Sequence, residues 1–254
     1  MRLWFFFLAA GIVAAPLQAA EIRVAAASSL SFVADELASA FERTSGHTVL
    51  LSLGASGSLY AQLVAGAPFD IFLSADTAYP RRLESDGRVA ENSFVVYARG
   101  RLSLWLAART RLKVSEFSTG LAGPRLHRLA LANPHVAPYG LAARQALERA
   151  DIWDRLQGRL VFGESVTQTA HMAKSGAADA AILSASLEGS EALASGKWVE
   201  IPDSFYDPIE HAVIILRGRD SDAAREFVSW LTSPAGRALL RARGLWPAGE
   251  GTSR

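Results

Sequence analysis

Short apolar runs alternate with amphipathic helical periods along most of this 254-residue chain. The runs are rich in β-branched and aliphatic residues, and each is predicted to form a buried strand; they cover residues 22–27, 49–53, 69–73, 129–132, 160–162, 180–183 and 212–216. Between them, Leu30, Val33, Leu37 and Phe41 mark one helical stripe, and shorter stripes are centred on residues 59–64 and 141–147. This alternation predicts an α/β fold with mostly parallel sheets flanked by helices.

Two positions in the pattern predict that the chain crosses between two lobes. Residues 94–106 form a long apolar segment, interrupted only at residues 99–101, that suits a strand leaving one sheet and entering another. A return is expected near Pro208, just before a strong strand. We therefore predict lobe 1 over residues 21–98 plus 210–254 and lobe 2 over residues 99–209, hinged by the crossover strands.

Helix start and stop signals support this order of elements. Gly46 lies where the first helix should end, and Ser28, Ser29 and Ser31 lie where it should begin. Residues 222–240 are predicted to form two helices, separated at Ser233 and the following proline.

The first 20 residues have the character of a secretory signal peptide. A basic Arg2 precedes an apolar run too short to span a bilayer, and Ala19 and Ala20 suit the cleavage site. We expect export to the periplasm. The chain has no cysteine, so neither a disulfide nor a lipid-bearing cysteine is expected.

The charge of the exported part excludes some partner classes. Without Arg2, the 26 basic residues become 25, which balance the 25 acidic residues. A chain without a net positive field is a poor ligand for nucleic acid or anionic lipid, so neither is expected as a partner. Any anion that binds must be held by local groups.

Four predicted strand-to-helix junctions share small, hydroxylated and turn-forming residues. In open α/β sheets such junctions lie at the carboxyl ends of strands, where ligands bind, and free N–H groups at a helix start favour an anion. Taken singly, each junction is more often an ordinary helix cap than a binding loop. The junctions cover residues 27–30, 54–58, 133–140 and 163–167.

The motifs at these junctions resemble those of the periplasmic molybdate-binding proteins of ABC uptake systems, and the resemblance covers essentially the whole exported chain. The most distinctive is GAPFDIFLSAD at residues 66–76. The others are VAAASSL at 24–30, LGASGSL at 53–59, NPHVAPYGLA at 133–142 and GESV at 163–166.

The resemblance implies a two-lobed type II periplasmic-binding-protein fold that closes over a dehydrated oxyanion, molybdate or tungstate. It implies no enzymatic activity, no cofactor, and molybdenum bound only as its oxyanion. The partners would be the membrane permease subunits of an ABC transporter, and we expect a monomer.

The same resemblance assigns an anion site. Ser29 and Ser56 would offer hydroxyl and backbone N–H donors, and Val166 a backbone N–H. Tyr139 would supply its backbone N–H, with its side chain as a hypothetical further contact. Many family members use another tyrosine hydroxyl where this chain has Ser184, which is a departure from the family pattern. The complete predicted set is Ser28, Ser29, Ser56, Tyr139, Val166 and Ser184.

A neutral cage of donors suits an unprotonated dianion. Molybdate, tungstate and sulfate accept hydrogen bonds at every oxygen, whereas hydrogen phosphate also carries a donor that would lack an acceptor, at a cost of about 1–3 kcal/mol. Another oxyanion such as sulfate is the nearest alternative ligand, because the sequence does not report the radius of the cavity.

Two other classes of site fit less well. Residues 54–58 approach the G-x-S-x-G elbow of serine hydrolases at Ser56, but Ser58 replaces the last glycine. His135 or His211, with Asp70 or Asp76, would have to complete a triad. The five histidines lie in separate segments with no metal-binding spacing, so no metal site is expected.

Overall fold

The computed structural model describes residues 19–110 and 117–249. Residues 1–18 of the predicted signal peptide lie outside the described residues. Within the described part of the chain, no helix is long and apolar enough to cross a membrane.

Eleven strands and nine helices are found in the described residues. The strands are β1 (Glu21–Ala27), β2 (Thr48–Gly54), β3 (Ile71–Ser74), β4 (Val95–Gly100), β5 (Leu102–Leu106), β6 (Leu129–Ala132), β7 (Leu160–Gly163), β8 (Ala180–Ser184), β9 (Lys197–Glu200), β10 (Ile209–Ile215) and β11 (Trp246–Pro247). The helices are α1 (Ala34–Ser45), α2 (Ser56–Val64), α3 (Ala78–Ser85), α4 (Phe117–Leu121), α5 (Pro138–Arg149), α6 (Trp153–Leu156), α7 (Val166–Ser175), α8 (Asp222–Leu231) and α9 (Pro234–Ala242).

The strands form two separate sheets. The first has the order β11-β4-β10-β3-β1-β2, and the second has the order β7-β6-β8-β5-β9. In the first, β1 is parallel to β2 and β3, and β10 is antiparallel to β3 and β4. In the second, β6 is parallel to β7 and β8, and β5 is antiparallel to β8 and β9. The predicted α/β fold is confirmed, with antiparallel crossover strands added to the parallel strands of each sheet.

The chain passes between the sheets at two short segments. Arg101 alone separates β4 in the first sheet from β5 in the second, and Pro208 directly precedes β10 on the return. These positions lie within about two residues of the predicted lobe bounds. The bounds themselves stay a prediction, because sheet membership does not define which residues move together.

Each sheet has its own apolar core. On one face of the first sheet, Phe41 of α1 packs edge-on against Phe227 of α8, with ring centroids 5.1 Å apart. Phe72 and Leu83 are buried on the opposite face. A third cluster is built around Leu104 and surrounds the second sheet. Burial of large apolar side chains is the main stabilising contribution, so both sheets are stabilised by the side chains packed on them.

The prediction that every apolar run is buried was wrong at the sheet edges. Leu53 of β2 is 45% exposed and Phe162 of β7 is 42% exposed. Both strands pair on one side only, so part of each is open to solvent. Val64, which was assigned to the apolar stripe of α2, is 40% exposed in the last turn of the helix.

The helix signals are confirmed in part. Gly46 ends α1 with a left-handed φ of 75°, and Ser233 caps α9 by accepting from the Gly236 N–H. The serines predicted to start α1 do not cap it. Residues Ser28–Leu30 form a 3-10 turn, and α1 begins later, after Val33. The Ser28 hydroxyl instead accepts from the Val166 N–H of the other lobe.

Candidate functional site

The carboxyl ends of the three parallel strands of the first sheet face the second lobe. Ala27, Ala55 and Ala75 follow or end β1, β2 and β3, and all three are packed into the core cluster of the second lobe. Their side chains are single methyl groups. The lobes therefore approach closely enough for backbone and hydroxyl groups to bond directly across the cleft.

Ser28 and Val166 are brought together across this cleft. The backbone N–H of Val166, at the start of α7, donates to the Ser28 hydroxyl at 3.1 Å. The Thr167 hydroxyl donates to the Ser28 carbonyl at 3.4 Å. The first turn of α7 thus presents its N–H groups to the 3-10 turn that follows β1, where an anion would be favoured.

Ser29 has the most informative position in the site. It is 1% exposed, and its hydroxyl is buried without a hydrogen-bond partner. Its carbonyl accepts from the Ser186 hydroxyl at 2.9 Å, and Ser186 in turn bonds to the Ser184 hydroxyl at 2.8 Å. Buried hydroxyls are nearly always bonded, so the unpartnered Ser29 hydroxyl is an exception.

Ser56 opens α2, and its hydroxyl accepts from the Ala75 N–H at 3.0 Å. The next residue, Gly57, donates its N–H to the Val136 carbonyl of the second lobe at 2.8 Å. A Cβ on Gly57 would lie 2.5 Å from the Tyr79 hydroxyl oxygen and 2.9 Å from the Val136 oxygen. Only glycine allows the first turn of α2 to meet the opposite lobe this closely.

Tyr139 occupies the second position of α5, directly after Pro138. Its backbone N–H belongs to the first turn and has no intrahelical acceptor, as the predicted role requires. Its side chain is buried and is directed to the hinge, where the hydroxyl shares a hydrogen bond with His211 Nε2 at 3.1 Å. We therefore keep only the backbone N–H of Tyr139 in the predicted anion site.

The groups that form hydrogen bonds with these residues carry no charge. The hydrogen-bond partners described above are backbone groups, hydroxyls and the His211 ring. Burial lowers the pKa of His211 to about 3, so the ring is neutral at physiological pH. Asp76 turns away to accept from the Ser74 hydroxyl and the Tyr79 N–H, and burial raises its pKa.

The sequence does not assign a role to every residue at this interface. Three residues lie in the predicted junctions without a predicted role, namely Gly57, Val136 and Thr167. The sequence also misses Ser186, Tyr97 and the hinge position of His211. Ser186 lies two residues after Ser184 and could have been found as a second hydroxyl in that turn. The pairing of Tyr97 with His211 depends on strand register and has no local signal.

The alternative sites lack the necessary contacts. Both ring nitrogens of His211 are bonded to tyrosine hydroxyls, and the Ser56 hydroxyl accepts from a backbone N–H, so these residues do not form a nucleophile and base pair. Among residues 19–110 and 117–249, no group of three or more His, Asp or Glu side chains could hold a metal ion.

Comparisons with known proteins agree with this geometry. Residues 22–245 match the model of a family described as bacterial extracellular solute-binding protein. The chain is 35% identical to the molybdate-binding protein ModA of Azotobacter vinelandii over 93% of this chain and 94% of that protein. It is 32% identical to ModA of Rhodobacter capsulatus, over 91% and 90% respectively.

The fold is likewise similar to a solved structure. The periplasmic molybdate-binding protein of Azotobacter vinelandii superimposes with a TM-score of 0.82 at 35% identity. The match covers 88% of this chain and 98% of that one.

Substitution of Gly57 should hinder closure of the lobes. A Cβ in Gly57→Ala would push the first turn of α2 away from Tyr79 and Val136. We expect a larger radius of gyration in small-angle X-ray scattering. The control is Gly158→Ala, because a Cβ at Gly158 meets no atom within 4 Å. Equal radii for both variants and the wild type would contradict this account of closure.

The neutral His211 ring should make stability depend on pH. The unfolded chain takes up a proton near the ordinary pKa of 6.5, whereas the folded chain does so only near 3. This contribution to the free energy of unfolding is therefore complete above pH 6.5 and is lost as the pH falls, by about 2 kcal/mol at pH 5.

Urea unfolding from pH 7 to pH 4 measures this loss. His211→Gln removes the titrating group, so the wild type should lose more stability than the variant over this range. Parallel curves for the two proteins would show that His211 is not buried in its neutral form.

Proposed function

Because the chain belongs to the family of bacterial extracellular solute-binding proteins, we propose that it captures molybdate between its two lobes and delivers it to an ABC importer. Tungstate is expected to bind at the same site, since it has the same shape and charge. The relatives named ModA and the similar periplasmic structure support this proposal.

The observation that carries the proposal is the unpartnered hydroxyl of Ser29 at the contact between the lobes. A buried hydroxyl without a partner costs about 1–3 kcal/mol, a cost that an oxyanion acceptor would remove. The starts of α2, α5 and α7 follow strands whose carboxyl ends lie at this contact, and each adds N–H groups without intrahelical acceptors. We propose that these groups surround one anion.

The chemistry of the donors favours a fully deprotonated dianion. The proposed site offers hydroxyl and backbone N–H groups and uses no charged side chain, so every ligand oxygen must act as an acceptor. A carboxylate in the site would repel the anion. A buried cationic side chain would destabilise the protein whenever the anion is not bound. In this proposal hydrogen phosphate is rejected, because its proton would find no acceptor.

The bonds between the lobes support a role in capture by closure. We propose that the Val166 N–H, which here donates to the Ser28 hydroxyl, turns to an oxygen of the bound anion. The Ser28 hydroxyl then becomes free to donate to the ligand as well. In this way the Val166 N–H has an acceptor in the closed protein both with and without an anion.

Transport requires partners beyond the ligand. We propose that the chain is exported to the periplasm by its first 20 residues and acts as a monomer that presents the closed lobes to permease subunits. The periplasmic relative supports the location. No catalytic step is part of this role.

The proposal is tested by calorimetric titration with molybdate, tungstate, sulfate and phosphate. Molybdate and tungstate should bind tightly, and Ser29→Ala should weaken their binding by about 1–3 kcal/mol through the loss of a hydrogen bond to a charged acceptor. Ser45→Ala is the matched control, because Ser45 is equally buried but bonds to Phe41 at the far end of α1.

Two outcomes would contradict the proposal. Tighter binding of sulfate than of molybdate would assign a different ligand to the site. Molybdate binding that is unchanged by Ser29→Ala would show that the site lies elsewhere.

A further inference from the structure

A cavity of about 320 Å³ lies between the lobes, beside one of the crossings of the chain. The first lobe contributes Phe32 and residues of the segment 241–246, which joins α9 to β11. The second lobe contributes residues of the turn 185–189, which follows β8. Arg101, which separates β4 from β5, also lines the cavity. Because both lobes form its walls, the cavity depends on their closed arrangement.

Two buried N–H donors at this cavity have no hydrogen-bond partner among residues 19–110 and 117–249. They are Arg101 Nε and Trp246 Nε1. The two side chains are neighbours, since Arg101 Cζ lies 5.5 Å from the centroid of the Trp246 ring. Buried donors nearly always have an acceptor. Two exceptions beside one cavity call for an acceptor from outside the described part of the chain.

The remainder of Arg101 is held in place from the second lobe. Its Nη1 donates to Glu200 Oε1 at 2.8 Å, and 12% of its side chain is exposed. Its carbonyl accepts from the Ala185 N–H at 2.9 Å. A guanidinium fixed in this way offers its Nε–H at a defined position, as the recognition of a planar acceptor requires.

The charges around the cavity favour an anion. Arg101, Arg241 and Arg243 line it together with a single carboxylate, that of Glu188. Two of the arginines also have ion-pair partners outside the cavity, which offset part of the positive charge. Three cations against one anion in the lining still favour a ligand with negative charge, and Glu188 opposes it.

We propose that this cavity binds a small dicarboxylate, one carboxylate of which accepts from Arg101 Nε and Trp246 Nε1. Each of these nitrogens carries one proton, and a carboxylate has two oxygens to accept them. Two N–H groups on planar side chains suit a planar acceptor better than a tetrahedral one. The further arginines of the lining favour a ligand with a second carboxylate.

The cavity adjoins the predicted anion site. Ser186 lines the cavity, and its hydroxyl donates to the Ser29 carbonyl at 2.9 Å. On the opposite wall, a Cβ on Gly244 would lie 3.3 Å from the Ala185 carbonyl oxygen, so the lobes meet closely here. A ligand that contacts both walls stabilises the closed lobes and thereby the capture of an oxyanion. This coupling rests on the function proposed above, whereas the carboxylate site does not.

The site is tested by nuclear magnetic resonance of the full chain labelled with 15N-tryptophan. The indole signal of Trp246 is identified by its absence from Trp246→Phe. Succinate should shift this signal until it saturates. Succinamide, which lacks the charges, and phosphate, which is tetrahedral, should leave the signal in place at the same concentration.

Two results would overturn the carboxylate site. One is a Trp246 signal that succinate does not shift, either alone or with saturating molybdate, since the two donors would then be hydrated only. The other is an equal shift with succinamide or with phosphate.

Two substitutions should change the affinity for succinate in opposite directions, as measured by titration. Trp246→Phe removes an N–H that has no partner in the described chain, and we expect about 10-fold weaker binding. Glu188→Gln removes the opposing charge and keeps an oxygen for the Ser103 hydroxyl, so we expect about 3-fold tighter binding. Trp230→Phe is the matched control, because this half-buried tryptophan packs on Phe41. The control should bind within about 2-fold of the wild type.

The two variants also cover a failure of either one to fold. If Trp246→Phe does not fold, the tighter binding expected of Glu188→Gln still tests the site, because a purely structural role of Glu188 would not raise the affinity. Succinate binding that is unchanged in the folded variants would overturn the proposal.

These outcomes separate the inference from the proposed function. If the chain binds succinate at Trp246 but no tetrahedral oxyanion, the proposed function alone fails. If it binds molybdate and succinate does not shift the Trp246 signal, the carboxylate site alone fails. If both ligands bind, saturating succinate should tighten molybdate binding by about 5-fold, and molybdate should tighten succinate binding by the same factor. Independent binding of the two would overturn the coupling.

Discussion

The hydrogen bond from the Val166 N–H to the Ser28 hydroxyl is the contact on which the site depends. It can form only because the residues around it are small, so that the carboxyl ends of β1, β2 and β3 meet the second lobe without intervening side chains. Close approach of backbone to backbone excludes water. In the resulting low-dielectric space, neutral donors hold a charged acceptor more strongly than they would in water.

The hinge and the site each contain buried polar groups that bond between the lobes. At the hinge, Gly100 leaves room for the hydroxyl of Tyr139 beside His211, and at the site the Ser186 hydroxyl donates to the Ser29 carbonyl. A buried polar network is stabilising only when every member is satisfied. Among the residues of the predicted anion site, the Ser29 hydroxyl is buried without a partner, and it is the position that the ligand is proposed to fill.

The sequence predicted the α/β fold and a change of sheet within residues 94–106, because these depend on local periodicity. It did not distinguish edge strands from central ones, and so the exposure of Leu53 and Phe162 was missed. The sequence assigns Ser28 to a helix start and to the anion site, but its bond to Val166, 138 residues away, has no local signal. The Tyr97–His211 contact depends on a bulge between two strands, which no local pattern reports.

The most direct test of this account is a crystal structure with tungstate, in which anomalous scattering locates the tungsten atom without bias. The account predicts one ion between the lobes, within hydrogen-bond distance of the Ser29 hydroxyl and of the backbone N–H groups of Tyr139 and Val166, with no lysine or arginine side chain touching it. The account would be contradicted by a tungsten atom held by arginines on the surface. It would also be contradicted by a closed cleft that holds no tungsten while another site is fully occupied.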